Sequence, residues 1–166
     1  MSIDQLPEIA LAMVASGKGI IAIDESNATI KKRFDSVGVE CTEENRRAYR
    51  EMLLTTPNLN EYISGAILYD ETIRQKTKDG VPFTKIMLDN GILPGIKVDA
   101  GTTPLAGFPG EVVTQGLDGL RERLNEYAAL GAKFAKWRAV ININIEEGMP
   151  SDTCIEANVH ALARYA

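Results

Sequence analysis

Gly19-Ile-Ile-Ala-Ile-Asp24 is a short apolar run that ends in a carboxylate. Two further runs, Pro94-Gly-Ile-Lys-Val-Asp99 and Phe134-Ala-Lys-Trp-Arg138, carry charges in the same way. β-Branched residues favour strands, and Gly or Pro bounds two of these runs. A charge at the end of a buried strand is costly unless a partner or a ligand compensates it. Three such charges, from three different strands, indicate a shared polar site.

Helical patterns separate these runs, so strands and helices alternate along the chain. The motif Thr42-Glu-Glu-Asn45 predicts the capped start of one helix. The whole pattern predicts strands that end at Asp24 and cover 62–68, 95–99 and 133–143. It predicts helices over 4–15, 29–34, 43–54, 84–90 and 115–130, and from 152 to the last residue. The charged stretch within 43–50 predicts a solvated helix face.

Such alternation predicts an α/β fold with a parallel sheet covered by helices. In closed parallel barrels the chemistry lies at the carboxyl ends of the strands, where Asp24, Lys97 and Lys136 fall. An open doubly wound sheet usually has a Gly-rich turn after its first strand, which Asp24-Glu-Ser-Asn-Ala-Thr29 does not provide. We therefore expect a (β/α)8 barrel of which the chain supplies four strand–helix units. The pattern of the last helix continues to Ala166 without a stop signal, which predicts a chain truncated in mid-helix.

Composition excludes several classes of function. The chain has 166 residues and a net charge of −5, which argues against nucleic acid or an anionic membrane as partner. It contains no apolar stretch of about 20 residues and no basic leader, so we expect a cytoplasmic protein. Cys41 and Cys154 are expected to be reduced, and a single histidine, His160, argues against a bound transition metal. We predict no metal and no cofactor.

Lys136 and Arg138 are two residues apart, so on a strand they would face the same side. A lysine beside a guanidinium in a partly dry site can serve as acid, base or nucleophile near neutral pH. The alternative is a lysine at the barrel rim that pairs with a carboxylate. Lys97 and Asp99 repeat the same spacing, and their alternative is a mutual structural network.

Asp24 could form an acid–base pair with a lysine from another strand. Alternatively, it could cap the helix that follows it. Hydroxyls and cations lie beside that helix start, which is chemistry suited to a phosphate. These residues are Ser26, Thr29, Lys32 and Arg33.

Six ordered segments resemble the Schiff-base (class I) fructose-1,6-bisphosphate aldolases. The segments are Gly17-Lys-Gly-Ile-Ile-Ala-Ile-Asp-Glu-Ser26, Thr42-Glu-Glu-Asn-Arg-Arg47, Tyr62-Ile-Ser-Gly-Ala-Ile-Leu68, Pro94-Gly-Ile-Lys-Val-Asp99, Gln115-Gly-Leu-Asp-Gly-Leu120 and Gly131-Ala-Lys-Phe-Ala-Lys-Trp-Arg138. The resemblance covers essentially the whole chain. It implies that residues 1–166 are the N-terminal half of a single (β/α)8 barrel.

The resemblance implies a lyase of glycolysis and gluconeogenesis that reversibly cleaves fructose 1,6-bisphosphate to dihydroxyacetone phosphate and glyceraldehyde 3-phosphate. Asp24 would then position and deprotonate the reacting hydroxyls, and Lys136 would assist proton transfers near the cleaved bond. The remaining matched residues would hold substrate oxygens or phosphate: Lys97, Arg138, Ser26, Thr29, Lys32, Arg33 and, at a more peripheral place, Arg46. A homo-oligomer is expected at full length.

Two kinds of departure from the family pattern matter. The family commonly has a lysine where Ala100 stands and Thr-Gly-Ser where Asn27-Ala28-Thr29 stands. The larger departure is length, because the family's Schiff-base lysine lies on later strands that this chain lacks. We therefore expect the isolated chain to be inactive. The alternative function is a non-catalytic half-barrel that binds sugar phosphates or forms oligomers.

Overall fold

The computed structural model describes residues 5–166. Its strands are β1 (Gly19–Ile23), β2 (Ile63–Leu68), β3 (Leu93–Lys97), β4 (Thr102–Pro104), β5 (Val112–Thr114) and β6 (Phe134–Lys136). Its helices are α1 (Leu6–Met13), α2 (Asn27–Ser36), α3 (Glu43–Leu54), α4 (Leu59–Tyr62), α5 (Asp70–Arg74), α6 (Phe83–Asp89), α7 (Leu120–Ala129) and α8 (Asp152–Tyr165). The chain divides into two compact units. One contains the residues up to Lys97 with Asn125–Ala135, and the other contains Val98–Leu124 with Lys136–Ala166.

The first unit is built on a parallel sheet. Strands β1, β2, β3 and β6 follow one another in that order, and β1–β2 and β2–β3 pair in parallel. Ile23 pairs with Leu68, which pairs with Ile96, and all three side chains are buried on one side of the sheet. Parallel strands joined by helices confirm the predicted α/β class.

On the side of the sheet opposite Ile23, Leu68 and Ile96, an aromatic ring packs closely against two glycines. Residues alternate between the two sides of a strand, so Gly65 and Gly95 lie opposite the buried Ile96. The ring of Phe134 covers both glycines. A Cβ at Gly95 would lie only 2.3 Å from the ring Cζ, and one at Gly65 would lie 3.1 Å from Cε1. Gly95 is therefore required by the close approach of this ring, and a side chain at position 65 would also crowd it.

Helix α1 buries none of its side chains, and Leu11 within it and Val14 directly after it are largely exposed. The Ser64 hydroxyl of β2 donates a hydrogen bond to the carbonyl of Met13 at 2.6 Å. This contact joins the end of α1 to the sheet. No helix within residues 5–166 is long and apolar enough to cross a bilayer.

The second unit contains an antiparallel hairpin of β4 and β5, in which Thr102 pairs with Thr114. Helix α8 packs on β5, and the Asn158 amide donates to the Val112 carbonyl at 3.1 Å. Ser151 caps α8 through its side chain, which accepts a hydrogen bond from the backbone N–H of Cys154. The hydroxyl and the backbone N–H of Ser151 both donate to the carboxylate of Glu111.

Several predicted bounds are confirmed and others are wrong. Helix α3 begins and ends as predicted, and the Thr42 side chain accepts a hydrogen bond from the N–H of Asn45. The predicted first residue of α1, Asp4, lies outside the described residues. The strand predicted over 133–143 ends at Lys136, because the alternating residues that follow find no partner strand among the described residues. Ile143 and Ile145 are exposed there.

Candidate functional site

Asp24 and Lys97 lie at the same edge of the parallel sheet. Asp24 directly follows β1, and Lys97 is the last residue of β3. Because Ile23 and Ile96 share a row and face the buried side, alternation directs the next residues, Asp24 and Lys97, to the other side. Both side chains are half-buried. The carboxyl ends of two parallel strands thus present a carboxylate and an ammonium group on one face, with β2 between them.

A buried guanidinium supports the chain on both sides of Asp24. Arg50 of α3 is 2% exposed, and its Nε donates to the Ile23 carbonyl at 2.8 Å. Its Nη2 donates to the Glu25 carbonyl at 3.2 Å and lies 2.9 Å from Oε2 of the Glu25 carboxylate. Burial lowers the pKa of Arg50, although the charge of Glu25 opposes this shift.

The solvated helix face predicted over 43–50 is therefore wrong at Arg50. Sequence reasoning also missed Glu25 as a structural partner. For Arg50 the sequence did contain a signal of burial. The apolar Leu54 follows Arg50 by one helical turn, so the two residues share a face of α3, and both are buried.

Helix α2 carries the predicted hydroxyls at its start and the predicted cations in its second half. Ser26 is the N-cap residue, and its hydroxyl lies 3.1 Å from the hydroxyl of Thr29. Since Ser26 occupies the cap position, the alternative that Asp24 caps this helix is wrong. Arg33 pairs with the Glu25 carboxylate although its own side chain is mostly exposed, and Lys32 is exposed on the same helix. The hydroxyls therefore lie at the start of α2, whereas Lys32 and Arg33 follow in the second half of the same helix.

Arg46 occupies a different place in α3. Its Nε and Nη2 donate to the two carboxylate oxygens of Glu71 at 2.8 and 2.6 Å, and its Nη1 donates to the Cys41 carbonyl at 2.9 Å. The hydrogen bonds to Glu71 raise the pKa of Arg46 above its ordinary value. These contacts use most of the guanidinium donors, which favours the peripheral place that its helical context suggests.

The second unit carries Lys136 and Arg138. Lys136 is half-buried and its carbonyl accepts a hydrogen bond from the Val98 N–H at 3.1 Å. Arg138 lies beyond the end of β6, contrary to the predicted strand over 133–143, so strand alternation does not set the direction of its side chain. Its Nη2 is 3.9 Å from Oδ1 of Asp99, whose side chain is fully buried. The Thr114 hydroxyl donates a hydrogen bond to the backbone carbonyl of Arg138 at 2.7 Å.

Another arginine that sequence reasoning missed supports the segment next to Asp99. Arg123 of α7 donates from Nη1 to the Val98 carbonyl at 3.0 Å and from Nη2 to the Gly116 carbonyl at 2.5 Å. Gly116 has a φ of 126°, and a Cβ there would lie 2.9 Å from the backbone nitrogen of Ala100. Glycine is therefore required where these two segments approach.

Within residues 5–166, no group of three or more His, Cys, Asp or Glu residues is arranged to hold a metal ion.

Comparisons with known proteins agree on one family. A family model described as fructose-bisphosphate aldolase class-I matches residues 5–166. The chain is 76% identical over 166 residues to a probable fructose-bisphosphate aldolase class 1 of Xanthomonas campestris, covering 100% of this chain and 49% of that protein. It is 54% identical over 162 residues to the cytoplasmic isozyme of fructose-bisphosphate aldolase from Spinacia oleracea, covering 98% of this chain and 45% of that protein.

A solved structure gives the same result for the fold. It contains fructose-bisphosphate aldolase from Plasmodium falciparum in complex with TRAP and a small-molecule inhibitor. The TM-score is 0.96 at 48% sequence identity, and the match covers 98% of this chain and 47% of that chain. The chain spans about half the length of these relatives. The match confirms the predicted fold class, an α/β fold that forms part of a (β/α)8 barrel.

Proposed function

The chain belongs to the class-I fructose-bisphosphate aldolase family, and we propose from this that a full-length protein containing it is a fructose-bisphosphate aldolase. The reaction is the reversible cleavage of fructose 1,6-bisphosphate to dihydroxyacetone phosphate and glyceraldehyde 3-phosphate through a lysine Schiff base. Residues 1–166 are then the N-terminal half of one barrel. The observation that carries this proposal is the family match over residues 5–166.

The chemistry divides between a lysine outside this chain and the residues described above. An imine between that lysine and the substrate ketone takes up the electron pair of the carbon–carbon bond that breaks. A base must remove the proton of the hydroxyl on the departing carbon. We assign the positioning and deprotonation of the reacting hydroxyls to Asp24, which the end of β1 presents on the face shared with Lys97. Lys136 assists the proton transfers at the carbinolamine and near the cleaved bond.

The remaining cations and hydroxyls are assigned to binding. Positive groups and hydroxyls at a helix start suit a phosphate dianion. We propose that Ser26, Thr29, Lys32 and Arg33, at the N-cap and along α2, hold substrate, and that Lys97 and Arg138 hold substrate oxygens or phosphate. Arg46 acts at the periphery, since Glu71 and Cys41 already occupy its donors.

Borohydride reduction in the presence of dihydroxyacetone phosphate tests the proposal. The full-length protein should acquire a stable adduct, because reduction converts an imine into an amine that no longer hydrolyses. Mass spectrometry of its peptides should place the adduct outside residues 1–166. The isolated chain of residues 1–166, treated in parallel, should acquire none and should not cleave fructose 1,6-bisphosphate. An adduct on Lys136 would contradict the role given to this residue.

A second candidate function, an oligomerising or sugar-phosphate-binding half-barrel, is favoured by exposed apolar residues beside an edge strand. Strand β1 lies at one end of the sheet order, with Ile20 exposed, and Leu11 and Val14 are exposed nearby in sequence. Size-exclusion chromatography at several concentrations tests it. A concentration-dependent increase in size of the isolated chain would support this candidate, and a constant monomer would oppose it.

The remaining features of the proposed protein follow its family. We propose a homo-oligomer at full length, and a cytoplasmic location supported by the cytoplasmic isozyme among the relatives.

A further inference from the structure

Two main-chain carbonyls on either side of Asp24 point to the same guanidinium. The Ile23 carbonyl accepts from Nε of Arg50 at 2.8 Å, and the Glu25 carbonyl accepts from Nη2 at 3.2 Å. Ile23 and Glu25 flank Asp24 directly, so the two hydrogen bonds restrain the backbone on both sides of the carboxylate residue. A restrained backbone limits the directions in which the Asp24 side chain can project.

The guanidinium that makes these bonds is itself fixed. Arg50 is 2% exposed, and Nη2 also lies 2.9 Å from Oε2 of Glu25. The Glu25 side chain is 6% exposed, and its other carboxylate oxygen pairs with Arg33. An arginine presents its donors in a rigid planar fork, which a lysine cannot reproduce. Arg50 therefore holds both carbonyls with one inflexible group.

The arrangement keeps Arg50 away from any molecule that Asp24 would contact. Ile23 and Glu25 are buried, whereas Asp24 between them is half-buried. Alternation along the chain places Asp24 on the side of the sheet shared with Lys97, and Ile23 on the opposite side. A substrate on the Asp24 side is thus separated from Arg50 by the backbone of the strand end.

We propose that Arg50, with Glu25 as its counter-ion, is the positioning residue for Asp24. It holds the carbonyls of Ile23 and Glu25 from behind the sheet and so sets the direction of the Asp24 carboxylate toward the reacting hydroxyls. This inference rests on the role of Asp24 in the proposed function. Because a misplacement of about 1 Å can cost about 100-fold in rate, loss of this support affects turnover more than binding.

The kinetic test compares three variants of the full-length protein with the wild type. Arg50→Lys keeps the charge and loses the fork, and Arg50→Met with Glu25→Gln removes both charges so that neither stays buried alone. Arg47→Met is the matched control, since Arg47 lies on the same helix and pairs with Glu44 and Glu51. We expect both Arg50 variants to lose about 10- to 100-fold in kcat, with KM within about twofold of wild type. Arg47→Met should keep its kcat.

The same changes in an Asp24→Ala background separate positioning from general stability. If Arg50 acts through Asp24, its removal costs no further kcat once the carboxylate is gone. A merely structural role would reduce kcat by the same factor in both backgrounds, and that result would overturn the proposal. Equal losses in the Arg50 and Arg47 variants would overturn it as well. Circular dichroism establishes that each variant is folded.

Crystal structures of wild type and of the Arg50→Lys variant test the support directly, without reference to activity. We expect the Asp24 carboxylate to shift by about 1 Å or to occupy more than one rotamer in the variant. An unmoved carboxylate would overturn the positioning role even if cleavage were lost. Absence of fructose 1,6-bisphosphate cleavage by the wild-type protein would instead contradict the proposed function, and the two crystal structures would still decide whether Arg50 positions Asp24.

Discussion

Replacement of Gly95 by alanine should destabilise the protein by overpacking. The added Cβ would lie 2.3, 2.4 and 2.8 Å from Cζ, Cε2 and Cε1 of Phe134, whereas carbon atoms normally approach to about 3.5–4.0 Å. The ring must therefore move by about 1 Å or more. Overpacking of this kind costs about 1–3 kcal/mol, and three simultaneous close contacts place Gly95→Ala near 3 kcal/mol.

Urea unfolding followed by circular dichroism measures this cost. Gly19→Ala is the matched control, because Gly19 also lies in the parallel sheet and a Cβ there meets nothing within 4 Å. The control should change the free energy of unfolding by less than about 1 kcal/mol. Phe134→Leu in the Gly95→Ala background should recover part of the loss, as expected for residues in direct contact. Equal unfolding midpoints for Gly95→Ala and Gly19→Ala, or strict additivity of the changes at positions 95 and 134, would refute the reasoning.

Three further outcomes are expected of the full-length protein. Lys136→Ala should lower kcat by about 10²–10⁴-fold, because proton-transfer groups act in the transition state, whereas Lys97→Ala should chiefly raise KM. Steady-state kinetics on fructose 1,6-bisphosphate decide this, and the reverse pattern would exchange the two roles. The hydrogen bond from the Ser151 hydroxyl lowers the pKa of Glu111, and the hydrogen bond from the Ser151 N–H adds to this effect. The contact therefore stabilises the fold at pH values above the ordinary pKa of glutamate, and this stabilisation is lost as pH falls below about 4. Ser151→Ala should therefore show a smaller fall in Tm between about pH 6 and about pH 3 than wild type, and an equal fall would contradict this linkage. Activity should withstand EDTA, since the resemblance to class I enzymes implies a lysine imine, and loss of activity that zinc restores would place the protein in the metal-dependent class.

Local signals in the sequence predicted the elements that depend on them. Thr42 and the acidic residues after it specify a helix start without help from distant parts of the chain, and α3 has the predicted bounds. The sequence also predicted that the charged ends of β1 and β3 belong to a polar site, because a charge next to a buried strand is costly without a partner or a ligand. The placement of Asp24 and Lys97 at one edge then follows from parallel pairing.

Features that depend on tertiary partners could not be predicted in this way. The alternating residues after Lys136 have the period of a strand, but a strand also needs a neighbour, and Ile143 and Ile145 remain exposed. Arg50 looked like one charge among many on a helix, because its role depends on carbonyls 25 and 27 residues away in sequence. The short hairpin of β4 and β5 was missed since each strand has only three residues.

The attachment of α1 has a consequence for amide hydrogen exchange. This helix buries none of its side chains, and its end is joined to the sheet through the Ser64 hydroxyl and the Met13 carbonyl. Detachment of α1 therefore exposes little apolar surface, and a local opening needs much less free energy than global unfolding. The amides of α1 should exchange with solvent deuterium well before those of Gly65 and Ala66, which lie in the buried part of β2.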